Sequence, residues 1–240
     1  MASTMRREKA YIRKDDRRNI PSYGISEASH YLRIPRSTIR YWVLGRSSRD
    51  PAVRATKPII QRPRQDSNEL SFINLVELFV LDSLRLAHRI PLPKIRRALN
   101  YLIKDFPSSR PLIDKEFETD GVNIFINQLD RLINITEAGQ LAIKECVKQY
   151  LRRVERDLHG IPLRLYPVTM KDLHSTPQTI VIDPFVSYGR PAIVRRGVAT
   201  AIIAERLWAG ESSKDLIKDY DLEPDELDEA IRCELRAKAA

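Results

Sequence analysis

The 240-residue sequence has few of the residues that build disulfide frameworks, metal sites and membrane spans. Its two cysteines, Cys146 and Cys233, lie far apart in the chain and show no metal-ligand spacing. We interpret them as reduced thiols in a cytoplasmic protein. There is no run of about 18 apolar residues, which excludes a membrane-spanning helix. The basic N-terminus lacks the apolar stretch of a signal peptide.

Signatures of catalysis are also missing. The sequence has no Gly-rich phosphate loop, no paired cysteine set and no nucleophile motif. The acidic clusters fall on helices that we expect to face solvent. The histidines are scattered along the chain: His30, His88, His159 and His174. The sequence therefore predicts a protein that is not an enzyme and that holds no metal or cofactor.

Charge is distributed unevenly along the chain. The formal net charge is +9. Residues 1–64 contain 16 Lys or Arg against 5 Asp or Glu, a net charge of +11, whereas residues 211–234 contain 3 against 10, a net charge of −7. A basic segment suits a polyanion, because its cations neutralise phosphates and release counterions. The acidic segment does not, so the asymmetry indicates two functions on one chain.

Residues 22–44 have the pattern of a helix-turn-helix. Apolar residues at helical spacing predict a first helix over about 24–32, and Pro35 favours the start of a second helix over about 36–44. The residues expected in the core are Ile25, Ala28, Leu32, Ile34, Ile39, Trp42 and Val43. The pattern also fits a plain helical hairpin with a basic, solvated face. The surrounding positive charge favours DNA binding.

The outer face of the second helix and a following hairpin supply the predicted DNA contacts. Basic and polar side chains on such a helix bind phosphates and base edges in a major groove. After a polar connector at 45–57, two short apolar pieces within 58–72 flank a polar turn, which predicts a β-hairpin wing weakened by its prolines. The predicted contacts are Tyr23, Arg36, Ser37, Thr38, Arg40, Tyr41, Arg62 and Arg64.

The order helix-turn-helix, wing, helix, helix resembles the winged DNA-binding domain of MerR-type regulators over roughly residues 20–104. The matching residues are Ile-Arg-Tyr-Trp at 39–42, Leu-Ser-Phe-Ile-Asn-Leu-Val-Glu-Leu at 70–78 and Ile-Pro-Leu-Pro-Lys-Ile-Arg-Arg-Ala-Leu at 90–99. The resemblance implies that the second helix reads the major groove and that the wing touches the flanking backbone. The connector at 45–57 is longer than in that family.

The segments on either side of this domain are less distinctive. Residues 1–20 form a basic arm, which could follow a phosphate backbone or act only as a solubilising tail. In an α+β middle region at 105–176, we expect strands at 122–126, 132–135 and 163–168 and a long helix from Thr136 to about Leu158. A stripe on that helix fits core packing or a dimer seam: Ile143, Val147, Tyr150, Val154 and Leu158.

Residues 177–240 are expected to form a separate C-terminal module. The pattern predicts strands at 179–183 and 192–196 around a turn with Gly189, followed by helices at about 198–209, 212–219 and 224–236. The last two helices make a second helix-turn-helix, but DNA phosphates would repel its acidic final helix, so we expect a protein partner. The predicted partner contacts are Asp225, Glu226, Asp228 and Glu229.

This module resembles a small helix-turn-helix family catalogued as a domain of unknown function. The matching segments are Ile180–Pro184, Gly189–Pro191, Arg196-Gly197, Ala209–Ser212, Asp215–Ile217 with Tyr220, and Leu227–Ile231. Here Arg196-Gly197-Val198 replaces the more usual Gly-Thr-Arg-Ile run. Members are often encoded beside PIN-type ribonuclease toxins. Longer versions with a MerR-like N-terminal domain resemble VapB-type antitoxins, and the layout of this chain is similar.

The resemblance implies an antitoxin of a type II toxin-antitoxin system. Such a protein would neutralise a PIN-domain ribonuclease toxin by direct binding and would regulate its own transcription by binding operator DNA, which we expect it to do as a homodimer. Two alternatives stay open. The chain could be a stand-alone MerR-like transcriptional regulator with a ligand-sensing middle region, or a structural adaptor without DNA affinity.

Overall fold

A computed structural model of the chain describes residues 12–46, 55–86, 90–105, 110–114, 117, 120–170 and 172–235. The helices within these ranges are α1 (Ile25–Leu32), α2 (Arg36–Leu44), α3 (Phe72–Leu86), α4 (Leu92–Asp105), α5 (Asp120–Ile133), α6 (Glu137–Leu151), α7 (Thr200–Trp208), α8 (Ser213–Tyr220) and α9 (Pro224–Glu234). Strands β1 (Val154–Arg156) and β2 (Pro162–Leu165) pair antiparallel, as do β3 (Ile180–Val181) and β4 (Ala192–Ile193). The predicted class, mainly α with small β elements, is confirmed.

Some sequence expectations concern positions outside these ranges, namely residues 1–11 of the arm, residues 47–54 of the connector and His88. Within the ranges, none of the helices is both long and apolar enough to cross a bilayer.

Helices α1 and α2 form the predicted helix-turn-helix. The carboxylate of Glu27 accepts a hydrogen bond from the backbone N–H of Gly24 at 2.8 Å, which satisfies a donor at the start of α1. Arg33 adopts a left-handed conformation (φ 57°) that ends α1, and the extended Pro35 precedes α2. Ile34 between them is buried, as predicted.

Helix α3 is the centre of the larger core, since every residue from Phe72 to Leu84 is buried. Its polar residues are paired. The Asn74 amide donates to the Gln61 carbonyl at 2.9 Å and to the Glu77 carboxylate at 2.8 Å. Burial raises the pKa of Glu77, while the nearby Arg110 guanidinium opposes that rise. One hydrophobic cluster extends from the helix-turn-helix through α3 to the middle region.

The hairpin predicted at 58–72 is not formed. The backbone N–H groups of Ile59 and Ile60 donate to the Trp42 carbonyl at 2.7 and 3.1 Å, so this segment packs against α2. Leu70 pairs with Tyr23 in an isolated antiparallel bridge instead. Pro58 and Pro63 have no N–H to donate to a strand ladder, which disfavours the predicted pairing.

The strands predicted at 122–126 and 132–135 are wrong, because these residues lie in helix α5 and directly after it. The β-branched residues of these segments favour strands, but the spacing of the buried residues is helical. The buried residues of α5 recur at intervals of three and four, which is the helical pattern: Val122, Phe125, Ile126 and Leu129. The middle region is therefore more helical than the sequence indicated.

Helix α6 begins where expected, because the Thr136 hydroxyl caps it by accepting from the Gly139 N–H at 3.2 Å. It ends at Leu151, not near Leu158, and the chain turns into β1. Ile143 and Val147 are buried, and the Tyr150 ring lies 4.9 Å from that of Phe79 on α3. The stripe is thus core packing within the chain as far as Val154, whereas Leu158 lies beyond α6 and is fully exposed.

The end of the basic arm belongs to the fold. Arg18 is buried, and its guanidinium binds Asp16 at 2.7 Å and Asp157 at 2.6 Å. Asp157 follows strand β1, so this ion pair joins residues 12–20 to the middle region. Arg18 is therefore unavailable to a nucleic acid.

Buried Arg153 fixes the segment that leads into the C-terminal module. Its guanidinium donates at 2.9–3.1 Å to four backbone carbonyls, those of Tyr166, Pro167, Thr176 and Pro177. One cation thereby satisfies acceptors that would otherwise be left without partners. Arg153 thereby joins residues 166 and 167 to residues 176 and 177, just before the C-terminal module.

The C-terminal module has the predicted order of strand, turn, strand and three helices, around its own core. Ser212 caps α8 by accepting from the Asp215 N–H at 3.2 Å. Glu223 and Glu226 form a capping box at the start of α9, where Pro224 is the first helical residue.

The C-terminal module packs along helix α1. At the start of α1, the Tyr23 hydroxyl donates to the Gly189 carbonyl at 3.0 Å. At its other end, the Arg33 guanidinium donates to the Arg232 carbonyl at 2.7 Å, and His30 Nε2 lies 3.1 Å from the Glu234 carboxylate. Burial acts to raise the pKa of Glu234, but hydrogen bonds with His30 and Thr200 outweigh it, so that pKa lies below its usual value.

Gly189 allows a test of this contact. It has φ +77°, and a Cβ atom there would lie 2.2 Å from the Tyr23 hydroxyl oxygen. Gly210 has φ +99° with open space around it. We expect Gly210→Ala to lower the free energy of unfolding by about 1–2 kcal/mol through backbone strain. We expect Gly189→Ala to lower it by more, as measured by urea unfolding followed by circular dichroism.

The clash predicts a rescue. Tyr23→Phe removes the obstructing oxygen, so it should recover part of the stability lost in Gly189→Ala, although alone it costs about 0.5–1.5 kcal/mol as a lost hydrogen bond. Equal losses for Gly189→Ala and Gly210→Ala, with no rescue, would mean that the module does not rest on α1 in this way.

Candidate nucleic-acid interface and partner surface

Helix α2 separates an apolar face from a basic one. Ile39, Trp42 and Val43 are buried, as predicted. Arg36 and Arg40 are exposed on the opposite side, and neither forms an ion pair with the residues that the structure describes. Two uncompensated cations on one exposed helix face can bind phosphate or the acceptor edge of a guanine.

The polar residues of α2 lie beside these arginines. Ser37 is exposed, whereas Thr38 and Tyr41 are half-buried. The Tyr41 ring lies 5.7 Å from the Arg96 guanidinium of α4, which in turn donates to the Lys57 carbonyl. Of the eight predicted DNA contacts, five therefore lie together on α2.

The other three predicted contacts lie elsewhere. Arg64 is exposed in the loop after Pro63, but Arg62 is half-buried and donates to Ser67 and Asn68 within that loop. Tyr23 is buried, and its hydroxyl binds Gly189. We therefore assign Tyr23 to the contact between α1 and the C-terminal module.

The four acidic residues predicted on α9 divide into two pairs. Asp225 and Asp228 are exposed. Glu226 is buried beside Arg195, which donates to it at 2.8 and 3.0 Å and holds the pKa of Glu226 below its usual value. Glu229 is 1% exposed and bonds to Thr169 and Arg232. The expected fully solvated acidic face is wrong for Glu226 and Glu229.

Part of this division was visible in the sequence. Glu226 follows Glu223 by three residues, which is the spacing of a capping box. Arg195 had no such signal, because it lies 31 residues away in the chain. The bond between Thr169 and Glu229 spans 60 residues and was equally hidden. Local sequence spacing therefore predicts the helix cap at Glu226, but it does not predict the side chains that bind Glu226 and Glu229 from distant parts of the chain.

Exposed acidic and apolar residues remain on the C-terminal module. Asp215, Asp219, Asp225 and Asp228 are exposed on α8 and α9, and Trp208 at the end of α7 is 62% exposed. Asp219 pairs with Arg206 at 2.7 Å. Large apolar side chains rimmed by charge are typical of protein contacts.

The described residues offer neither an evident metal site nor an evident reactive thiol. Within the described ranges, His, Cys, Asp and Glu side chains form no group of three that could hold a metal ion. Cys146 is half-buried, and burial raises the pKa of the Cys233 thiol to about 12. These thiols are therefore in the protonated, unreactive state at neutral pH.

Comparisons with known proteins agree with this arrangement. A family described as "putative DNA-binding HTH domain" matches residues 21–99, and DUF433, described as a protein of unknown function, matches residues 180–232. A curated Mycobacterium tuberculosis protein named "putative antitoxin VapB45" is 28% identical over 231 residues, which cover 89% of this chain and 93% of that protein.

A solved structure supports the fold. The X-ray crystal structure of Rv2018 from Mycobacterium tuberculosis superposes with a TM-score of 0.63 at 24% identity, and the match covers 88% of this chain and 98% of that one. At this identity the likeness concerns the fold alone. Together, the matches show that residues 21–99 are similar to a helix-turn-helix family described as DNA-binding, that residues 180–232 are similar to DUF433, and that most of the chain is similar to a protein named as a VapB antitoxin.

Proposed function

We propose that this protein is the antitoxin of a type II toxin-antitoxin system. It binds a PIN-domain ribonuclease toxin directly and binds operator DNA to control its own transcription. The observation that carries the proposal is the division of charge between two surfaces. Helix α2 presents exposed arginines that form no ion pair within the described part of the chain, and the C-terminal module presents exposed carboxylates. The similarity to the protein named "putative antitoxin VapB45" supports the antitoxin role.

Helix α2 is the proposed reader of the operator. Arg36, Ser37 and Arg40 can enter a major groove without disturbing the core, because Ile39, Trp42 and Val43 hold the helix from the opposite side. Arg64 is exposed in the loop after Pro63 and can add a backbone contact. In the proposed mode of binding, phosphate contacts set the register and α2 supplies the specificity.

We further propose that the chain binds the operator as a homodimer. One short helix reads few base pairs, so two copies related by symmetry would multiply specificity over a site with two similar halves.

The acidic side of the C-terminal module is the proposed toxin surface. A ribonuclease must hold RNA, so its surface should be basic around an acidic metal site. Exposed Asp225 and Asp228 can meet such a basic rim and accelerate association through opposite charge. Glu226 and Glu229 support this surface from within, since each is bound to an arginine of the module.

Removing one α2 cation should weaken operator binding without unfolding the protein. We expect Arg40→Ala to cost roughly 1–3 kcal/mol of operator affinity if Arg40 binds a base edge, or to lower the salt slope by about one if it binds phosphate. Fluorescence anisotropy across a salt series measures both quantities. Arg131→Ala, at an exposed arginine of α5, is the matched control. If Arg40→Ala binds like the control at every salt concentration, α2 is not the reader.

Charge reversal on α9 tests the toxin surface. Because Asp225 and Asp228 are exposed, Asp225→Lys with Asp228→Lys should leave the fold intact, slow association with the co-expressed toxin, and do so more at low salt than at high salt. Surface plasmon resonance gives the rate constants. The control reverses two exposed carboxylates of α6, Glu137 and Glu145.

The same reversal should leave operator affinity nearly unchanged. A reversed pair that associates as fast as the parent at low salt would exclude this face from toxin binding. Glu226 and Glu229 are unsuitable for the test, because reversal there would leave a buried charge without its partner and destabilise the module.

A further inference from the structure

A cavity lies where the start of α1 meets the turn between β3 and β4. Its volume is about 310 Å³, the size of small-ligand pockets. The N-terminal side supplies Arg17, Ser22, Glu27 and Tyr31, and the C-terminal module supplies Tyr188 and Arg190. Neither the DNA surface nor the toxin surface proposed above uses these residues. Both halves of the chain are therefore needed to form the cavity.

The turn at the cavity is strained. Ser187 and Tyr188 adopt left-handed conformations (φ 45° and 56°), which cost energy for residues with a Cβ atom, and Gly189 follows at φ +77°. The Ser187 hydroxyl donates to the Gly197 carbonyl at 2.6 Å, and Tyr23 binds the Gly189 carbonyl. Such strain persists where surrounding contacts enforce it, and it is concentrated at functional sites. Here it leaves the Tyr188 ring 86% exposed at the cavity.

The cavity has a surplus of hydrogen-bond donors. Arg17 and Arg190 form no ion pair with the described residues, whereas Arg195, Arg196 and Arg206 of the C-terminal module are all paired with carboxylates. The opposing charge in the cavity is Glu27, whose carboxylate already accepts from Gly24.

Tyr31 adds a neutral donor to the cavity. Burial raises its pKa to about 12, so the hydroxyl keeps its proton at neutral pH. The Tyr31 ring packs edge-on against Tyr23 at a centroid distance of 6.4 Å, which fixes its orientation.

We propose that this cavity binds a phosphate-bearing ligand of mononucleotide size. Arg17 and Arg190 bind the phosphate, the Tyr31 hydroxyl donates to one of its remaining oxygens, and the base stacks on the exposed Tyr188 ring. Paired guanidinium groups match phosphate oxygens in geometry and charge, and aromatic stacking accepts any base. This inference does not depend on the toxin.

Two sources could supply the same phosphate chemistry. One is a free nucleotide that diffuses into the cavity. The other is a nucleotide of the DNA strand that α2 binds, since α1 and α2 belong to one helix-turn-helix. In either case, occupancy would strengthen the contact between α1 and the C-terminal module, because the ligand binds residues from both sides.

Isothermal titration calorimetry of the full chain with adenosine 5′-monophosphate, adenosine and inorganic phosphate tests the site. We expect the monophosphate and inorganic phosphate to bind and adenosine to bind far more weakly. Arg190→Gln should weaken monophosphate binding by about tenfold or more, since it removes a charge-assisted hydrogen bond. Tyr188→Ala should weaken binding of the monophosphate but not of inorganic phosphate.

Arg131→Gln is the matched control, and thermal melts confirm that each variant is folded. If Arg190→Gln is unfolded, Arg190→Lys replaces it, because it keeps the charge and loses the bidentate fork. Displacement of the monophosphate by a saturating operator duplex would assign the site to DNA, and retention would assign it to a free nucleotide. Equal affinity for adenosine, unchanged binding by Arg190→Gln, or no binding of either phosphate would overturn the proposal.

Discussion

The hydrogen bond from Tyr23 to the Gly189 carbonyl is the constraint on which the arrangement of the chain depends. It joins Tyr23, two residues before the start of α1, to the turn of the C-terminal module, and it requires a residue without a side chain at position 189. The contacts of His30 and Arg33 extend the same interface to the other end of α1. Helix α1 therefore supports α2, the proposed reader of the operator, on one face and the C-terminal module on another.

Basic and acidic residues are concentrated in different segments of the chain, and burial determines which of them can contact a partner. Arg18, Arg153 and Glu229 are buried in ion pairs or carbonyl contacts, so they stabilise the fold and cannot meet a partner. Arg40 and Asp225 are exposed. The net charges of the two segments thus overstate what either surface presents, but their signs agree with a polyanion at one surface and a basic protein at the other.

The sequence predicted the helices of both helix-turn-helix units closely, because their apolar spacing, Pro35, Ser212 and Pro224 are local signals. It did not predict α5, where β-branched residues concealed a helical period. It also could not show that Tyr23 and Glu226 are buried, because Gly189 and Arg195 reach them from distant parts of the chain. Local sequence patterns therefore predict the secondary-structure elements, whereas tertiary contacts determine which polar residues stay exposed and able to bind a partner.

Hydrogen–deuterium exchange of the full chain, alone, with operator duplex and with its co-purified toxin, tests the central claim most directly. We expect the operator to slow amide exchange across 36–44 and the toxin to slow it across 213–234. The operator should leave amide exchange across 213–234 nearly unchanged, and the toxin should leave amide exchange across 36–44 nearly unchanged. Exchange in α1, which contacts both α2 and the C-terminal module, can respond to either partner. Operator protection confined to 213–234, or toxin protection confined to 36–44, would contradict the assignment of DNA to α2 and of the protein partner to the C-terminal module.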